Sequence, residues 1–313
     1  MAFNLKGRSL LTLKHYTSEE IIYLLKLAKT EKDNSRAGIV NQRFLGKSLA
    51  MLFEKRSTRT RCAFETAFGE EGGNPVFLSS DDIQLGGKET VEDTARVFGK
   101  MFDAIEFRGY KQETVELLEK YSGVPVYNGL TDLYHPTQAL ADLLTIWEEF
   151  GAFKGIKLVY VGDGRNNVAN SLLIASSKIG LDFTILAPKE LWPEEDLINY
   201  AKDCCKTSHG SVTITDNIEE GVAGAHAIYT DVWVSMGEES KQEARVKLLS
   251  PYQVNQKLME GTGIRETIFL HCLPAIRDME VDTDVIDGPQ SRVWDEAENR
   301  KHTIKAIMLA SLL

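Results

Sequence analysis

Short apolar runs alternate with helix-like patterns along most of the chain. In the first half, the runs predict strands at residues 49–53, 75–78, 104–107 and 125–127, with helices at 58–70, 89–101, 111–121 and 137–150 between and after them. In the second half, strands are predicted at residues 157–161, 183–186, 212–214, 227–230 and 268–270. Because each strand is followed by a helix, the pattern predicts an α/β fold built on parallel sheets.

The stretch from Gly151 to Gly155 interrupts this rhythm and divides the chain. We therefore predict two domains, residues 1–150 and 151–294, each a parallel sheet flanked by helices, joined by interdomain helices. The final helix, residues 295–313, is expected to pack back on the first domain. Residues 235–265 are polar and long for a connection, and this pattern is typical of a functional lid.

Composition narrows the classes of function that remain. The chain has 313 residues, 43% of them hydrophobic, and a formal charge of -10, which disfavours nucleic acid as a partner because such binding needs a basic face. Charges near the N-terminus and the lack of any apolar stretch of roughly 20 residues indicate neither a signal peptide nor a membrane partner. We expect a cytoplasmic protein.

The pattern of cysteines also favours a cytoplasmic location. Cys62, Cys204, Cys205 and Cys272 form no C-x-x-C pair, which suits a reducing compartment. Cys204 and Cys205 lie close to His209, but a metal site needs more ligands at a recognisable spacing. No metal site is predicted.

The five residues from Ser57 to Arg61 carry the strongest chemical signal. They lie between an apolar strand and a helix whose apolar residues recur at helical spacing. Ser57 can cap that helix, while the N–H groups of its first turn, the hydroxyls of Thr58 and Thr60 and the Arg59 guanidinium converge on one point. These groups predict an anion site that fits a phosphate, although a Ser-capped helix with solvated arginines is the ordinary alternative.

Other polar residues follow predicted strands, where ligands bind in open parallel sheets. Arg108 follows the third strand, His135 precedes a helix that begins with Pro136, and Asp231 and Cys272 follow strands of the second domain. Each residue alone has an ordinary interpretation: a helix-cap neighbour for His135, a turn residue for Asp231 and a small buried side chain for Cys272. Their coincidence at equivalent strand ends favours a shared site.

The loop Gly162-Asp163-Gly164-Arg165-Asn166-Asn167 is a near match to a dinucleotide fingerprint. Asn167 replaces the third glycine, so close helix packing and a pyrophosphate site are doubtful. An NAD-dependent dehydrogenase remains an alternative from a different class. It would leave the Ser57–Arg61 and His135–Gln138 segments without a function.

Taken together, these motifs resemble the aspartate/ornithine carbamoyltransferase family, and the resemblance covers nearly the whole chain. The S-T-R-T and H-P-x-Q elements are shared by both branches, whereas two later elements look like the ornithine branch. The motifs that carry the resemblance are Ser57-Thr58-Arg59-Thr60-Arg61, Arg108-Gly109, His135-Pro136-Thr137-Gln138, Ser235-Met236-Gly237 and His271-Cys272-Leu273-Pro274.

The resemblance implies transfer of a carbamoyl group from carbamoyl phosphate to the δ-amine of L-ornithine, which gives citrulline and phosphate in arginine metabolism. It assigns catalysis to Arg108, His135, Asp231 and Cys272. Ornithine would be bound by Asn167, Asp231, Ser235 and Met236. Carbamoyl phosphate would be bound by Ser57, Thr58, Arg59, Thr60, Gln84, Arg108, His135, Gln138, Cys272, Leu273 and Arg300.

The same resemblance implies a homo-oligomer, a trimer or an assembly of trimers, in which Gln84 contributes to a neighbouring subunit's site. It implies no metal or organic cofactor. Two alternatives stay open beside the dehydrogenase: a carbamoyltransferase acting on another amino acid or a diamine, and a catalytically silent binding module. Ser235-Met236-Gly237 argues against the first, and the intact set of polar residues argues against the second.

Overall fold

The computed structural model describes residues 3–83, 89–234 and 242–313. They form two compact units: unit 1 comprises Met1–Leu144 and Glu298–Leu313, and unit 2 comprises Thr145–Ala297. The chain enters unit 2 within one long helix, α5 (Pro136–Phe150), and returns to unit 1 within another, α12 (Val293–Leu312).

Unit 1 contains a parallel sheet with the strand order β2-β1-β3-β4. Its elements before α5 are α1 (Ser18–Arg36), β1 (Ser48–Phe53), α2 (Arg59–Gly69), β2 (Asn74–Ser79), α3 (Val91–Met101), β3 (Ala104–Arg108), α4 (Gln112–Ser122) and β4 (Val126–Leu130). One face of the sheet packs an apolar cluster that includes Ile105, Phe107 and Val126. Because side chains alternate along a strand, Glu106 and Arg108 of β3 point to the other face.

Unit 2 contains a second parallel sheet with the strand order β7-β6-β5-β8-β9. Its strands are β5 (Lys157–Val161), β6 (Asp182–Leu186), β7 (Ser211–Thr215), β8 (Ala227–Thr230) and β9 (Ile268–His271). Its helices before α12 are α6 (Asn167–Ile179), α7 (Glu195–Ser208), α8 (Ile218–Val222), α9 (Gln242–Leu249), α10 (Gln256–Glu260) and α11 (Thr283–Ile286).

The prediction of two parallel sheets flanked by helices is confirmed. The described part of residues 235–265 contains two short helices, α9 and α10, and the interpretation of this segment as a lid stays a prediction. These helices have only eight and five residues. Such lengths are too short for an apolar period to stand out from the sequence.

A network of ion pairs ties the peripheral segments of unit 1 together. Arg43 bonds both Glu31 of α1 and Glu71, which follows α2. Lys305 of α12 lies 3.5 Å from Glu71 and 2.8 Å from Glu70. Burial alone would raise the pKa of the Glu71 carboxyl, but the hydrogen bonds and charge of Arg43, helped by Lys305, lower it.

Across the described ranges, every helix falls short of the length or the apolar character that crossing a bilayer requires.

Candidate active site

Several of the predicted site residues lie where the strand order of each sheet reverses, whereas His135 and Cys272 follow the edge strands β4 and β9. In unit 1 the chain runs from β1 outward to β2 and then resumes on the other side at β3, and in unit 2 the same reversal separates β5 from β8. At such a switch point the two neighbouring loops leave in opposite directions and open a crevice beyond the carboxyl ends of the strands. Ser57–Arg61 follows β1, Arg108 ends β3, and Asp231 follows β8.

In unit 1, the loop after β1 leads directly into α2. Thr58 is the residue before the helix, and the Ser57 hydroxyl accepts a hydrogen bond of 3.2 Å from the N–H of Thr60. Ser57 therefore caps the first turn, as the sequence predicted, although α2 begins only at Arg59. The cap fixes the path of the chain and aims the start of α2 at the crevice.

Thr60 is the centre of a cluster drawn from three distant parts of the chain. Its hydroxyl oxygen accepts hydrogen bonds from Arg108 Nη1 at 3.2 Å and from Arg300 Nη2 at 2.8 Å, and all three residues are buried. A hydroxyl oxygen has two lone pairs and one hydrogen. Because both guanidiniums occupy the lone pairs, the hydroxyl hydrogen of Thr60 is left to donate to a ligand.

Gln138 connects this cluster to α5. Its side-chain oxygen accepts a hydrogen bond of 2.7 Å from Arg300 Nη1, and its Nε2 donates a hydrogen bond of 2.8 Å to Asp142. The amide is thereby held in one orientation. We call Ser57, Arg59, Thr60, Arg108, His135, Gln138 and Arg300 the anion cluster.

His135 is a titratable residue of the anion cluster, and its side chain is uncharged. Burial lowers the pKa of its imidazole well below the usual 6.5, and the charges of Arg300, Arg108 and Arg59 lower it further. Its Nδ1 lies 3.4 Å from the Thr137 hydroxyl. The ring is therefore neutral at physiological pH and carries one N–H that can donate to an oxygen without adding charge.

In unit 2, a second cluster surrounds the carboxylate of Asp231. Its Oδ1 accepts from the Cys272 thiol at 3.0 Å and from the Val232 N–H at 2.8 Å, and its Oδ2 accepts 2.9 Å from Asn166 Nδ2. A carboxylate offers about four acceptor positions, so three donors leave capacity for one more. An ammonium group is a suitable fourth donor.

A hydrogen bond between the buried His271 and Leu273 fixes the backbone on both sides of Cys272. His271 Nδ1 accepts 2.8 Å from the Leu273 N–H, so the ring proton lies on Nε2, which is 3.3 Å from Glu280 Oε1. Leu273 has a φ of 56°, a left-handed conformation that is costly for a side chain of this size. We call Asn166, Asp231, His271, Cys272 and Glu280 the thiol cluster.

Asp231, His271 and Cys272 also present possible metal-ligand atoms within 4.8 Å of one another. However, both ring nitrogens of His271 already face partners, Leu273 and Glu280. The Cys272 thiol donates to Asp231. A hydrogen-bonded network explains the arrangement, and a metal would have to displace several of these contacts.

The loop that resembled a dinucleotide fingerprint is unsuited to a pyrophosphate. The Asn166 side chain accepts the Val168 N–H and caps α6 itself, at 2.6 Å. The Asp163 carboxylate lies in the same loop and pairs with Arg245 at 2.6 Å. A capped helix end beside a carboxylate disfavours a second anion.

Within each unit, the structure brings together several of the residues expected from the sequence. Arg300 joins Arg108 and Thr60 in unit 1, whereas Asn167 is the first residue of α6 in unit 2. Gln84, Ser235 and Met236 lie outside the described residues. Asn166 and Glu280 are not predicted as site residues from the sequence, where their only signals are an asparagine before a helix and an acidic residue close after His271.

Comparison with known proteins agrees with this geometry. Residues 8–148 match the carbamoyl-phosphate-binding domain of aspartate/ornithine carbamoyltransferases, and residues 154–311 match the aspartate/ornithine-binding domain. The chain belongs to the aspartate/ornithine carbamoyltransferase family, which confirms the resemblance inferred from the motifs.

Individual relatives come from the ornithine branch. An ornithine carbamoyltransferase of Caldanaerobacter subterraneus subsp. tengcongensis is 67% identical over 313 residues, which is 100% of both chains. One from Thermotoga maritima is 62% identical, also over 100% of both chains. Among solved structures, the ornithine carbamoyltransferase from Pyrococcus furiosus superposes with a TM-score of 0.96 at 47% identity, covering 99% of this chain and 98% of the other.

Proposed function

We propose that this chain transfers the carbamoyl group of carbamoyl phosphate to the δ-amine of L-ornithine, giving L-citrulline and phosphate. The observation that carries the proposal is the anion cluster, in which Arg108 and Arg300 share the Thr60 hydroxyl. In a chain with a formal charge of -10, such a concentration of positive charge suits a specific phosphorylated substrate. The full-length similarity to ornithine carbamoyltransferases supplies the acceptor.

In this proposal, Ser57, Thr58, Arg59 and Thr60 hold the phosphate group. Arg108, His135 and Gln138 bind the carbamoyl group, with Arg300 near its amide. When the amine attacks the carbonyl carbon, negative charge grows on the carbonyl oxygen. Donors already fixed by their own hydrogen bonds stabilise this charge without reorganising, and phosphate leaves as the tetrahedral intermediate collapses.

The thiol cluster binds and activates the amine. An alkyl ammonium has a pKa of roughly 10.4, so the nucleophile must lose a proton before it attacks. Asp231 accepts a hydrogen bond from the ammonium, orients it and accepts the proton that it loses. The Cys272 thiol donates to Asp231, so it orients this carboxylate and helps the deprotonation in that way. Asn167, Ser235 and Met236 bind the α-amino and carboxylate groups of ornithine, and the expected contacts of Cys272 and Leu273 with the carbamoyl group remain part of the proposal.

The buried pair of His271 and Glu280 has a supporting role in this scheme. His271 receives the Leu273 N–H and thereby fixes the backbone that follows Cys272. Glu280 holds the ring proton on Nε2. Both residues act on the orientation of the thiol and have no direct part in the chemistry.

We further propose that the chain works in the cytoplasm, in arginine metabolism, as a homotrimer or an assembly of trimers. Gln84 then completes the carbamoyl-phosphate site of a neighbouring subunit. No cofactor is required by this mechanism, because every proton and charge it needs is supplied by side chains and the substrates.

The proposal is tested by offering ornithine, aspartate and putrescine together with carbamoyl phosphate and analysing the products by mass spectrometry. Citrulline as the dominant product supports it. Carbamoylaspartate or carbamoylputrescine in excess would assign the chain to a different acceptor. Binding of NAD without citrulline formation would favour the dehydrogenase alternative.

A further inference from the structure

A carboxyl group lies inside unit 1 immediately behind the anion cluster. Glu106 is 0% exposed and lies two residues before Arg108 on β3, so the two side chains point to the same face of the sheet. Its register partners on the neighbouring strands are Met51 and Tyr127. The motifs that led to the site do not include Glu106, and the mechanism above does not use it.

The chain makes room for this carboxyl group but provides no hydrogen bond for it. A Cβ atom at Gly129 would lie 2.0 Å from Glu106 Oε1 and 3.1 Å from the methyl group of Thr60, so glycine is needed there. Within the described ranges, neither carboxyl oxygen of Glu106 has a hydrogen-bond partner. A buried carboxylate without donors is very costly, whereas the neutral acid is tolerated much better.

The charged groups around Glu106 are cations. Burial raises the pKa of its carboxyl group well above the usual 4.5, and attraction to Arg108 and Arg300 offsets this only in part. On β4, the Tyr127 hydroxyl is bonded to Ser311 at 2.6 Å, and on α2 the facing residue is Thr60, which does not titrate.

His135, which directly precedes α5, and Asp142 of α5 are further titratable groups near the two arginines. His135 feels the charges of both guanidiniums and is neutral, and Asp142 is bonded by Gln138, which also bonds Arg300. Among the described residues, Glu106 is therefore the carboxyl group beside the anion cluster whose two oxygens both lack a hydrogen bond.

We propose that Glu106 is a positioning residue that acts through Arg108 and Arg300: it stays protonated while the anion cluster holds a phosphate-bearing ligand, and its deprotonation weakens that hold. The inference rests on the proposed carbamoyl-phosphate site. A neutral acid leaves the charge of both guanidiniums for the ligand. An ionised one cancels part of that charge and repels the incoming dianion.

The direction of the effect follows from linkage. If the ligand binds better when Glu106 carries its proton, then the ligand must also strengthen the hold of Glu106 on that proton by the same factor. Affinity for a dianion therefore falls as pH rises through the pKa of Glu106. His135 cannot produce this fall, because its pKa lies well below 6.5 and the ring has already lost its charge.

The test measures the affinity of the full-length enzyme for inorganic phosphate from about pH 6 to 10, and comparison between the variants removes the contribution of the ligand's own titration to a dianion. We compare the wild type with Glu106→Gln, a neutral side chain of nearly the same shape, and with Glu119→Gln, which removes an exposed carboxylate from the same unit. Across this range, wild type and Glu119→Gln should lose at least about fivefold more affinity than Glu106→Gln.

Parallel pH profiles for all three proteins would overturn the inference. So would phosphate binding that becomes more than about tenfold tighter in Glu106→Gln at pH 7.5, because this would mean that Glu106 is ionised there. Citrulline formation by the wild type at pH 8 tests the proposed function separately. If citrulline forms and the phosphate profiles are parallel, only the role of Glu106 is wrong.

Thermal unfolding provides a second measurement that does not depend on ligand binding. The folded-state pKa of Glu106 is raised, so the folded protein holds a proton that the unfolded chain releases above about pH 4.5, and stability falls as pH rises. Glu106→Gln removes this penalty, but its buried amide has a cost of its own, so the pH dependence decides. The unfolding temperature of Glu106→Gln relative to that of wild type should rise between about pH 5 and pH 8. A difference that stays constant over this range would contradict the proposal.

Discussion

Replacing Thr60 with valine should disable the anion cluster while preserving its shape. Thr60 is fully buried, and valine keeps the branched side chain but loses the oxygen that accepts from both Arg108 and Arg300. A hydrogen bond to a charged group contributes about 1.5–3 kcal/mol. Two such bonds set an upper bound of roughly 3–6 kcal/mol, and partial re-bonding of the guanidiniums reduces the expected loss to about 2–4 kcal/mol.

A loss of this size corresponds to a fall in kcat/KM for carbamoyl phosphate of roughly 30- to 800-fold, measured as initial rates of citrulline formation at saturating ornithine. Thr60→Ser is the matched control, because it keeps the hydroxyl and should retain most activity. Equal thermal unfolding of the two variants would exclude a folding defect. A Thr60→Val enzyme within threefold of wild type would refute the view that this hydroxyl organises the two arginines.

Three further predictions concern charge and assembly. Arg59→Ala should weaken carbamoyl-phosphate binding and turnover together, by at least about tenfold, since a charge-assisted contact of ~2 kcal/mol is lost; an unchanged rate would contradict this. Because the folded-state pKa of Glu71 is lowered, its stabilisation is present above the ordinary value of 4.5 and is lost as pH falls. Glu71→Gln should therefore lower the unfolding temperature at pH 7 and flatten its acid decline, whereas Asp33→Asn in an exposed pair should do neither. When inactive Gln84→Ala and Arg108→Ala chains are mixed in equal amounts and reassemble as cyclic trimers, about a quarter of the sites should be native and activity should return. Tagged hybrids that stay inactive would exclude a shared site.

The sequence was most informative where structure and chemistry are local. Strands appear as short apolar runs, and the residues just after them must lie at one edge of a parallel sheet. The sequence pattern therefore groups Ser57, Arg108, His135 and Asp231 at strand ends. The cap formed by Ser57 was also predictable, because it depends on a bond to Thr60 only three residues away.

The contacts that cross the chain were not predictable from local pattern. Arg300 reaches Thr60 across 240 positions, and only the family resemblance suggested it. The sequence pattern around Glu106 predicts only an apolar strand, because the burial of this carboxyl group depends on packing that the sequence does not reveal. The thiol cluster was recognised through Cys272, but the bond from Asn166 to Asp231 depends on how two separate loops fold.

In the proposed mechanism, the anion cluster binds carbamoyl phosphate and the Asp231 carboxylate contacts only the amine. Isothermal titration of Asp231→Asn with carbamoyl phosphate or an unreactive analogue, alongside initial rates with varied ornithine, separates these two roles. We expect carbamoyl-phosphate affinity within about threefold of wild type and a loss of more than about tenfold in kcat/KM for ornithine. Equal losses for both ligands would place Asp231 in a structural role and would refute this division of the site.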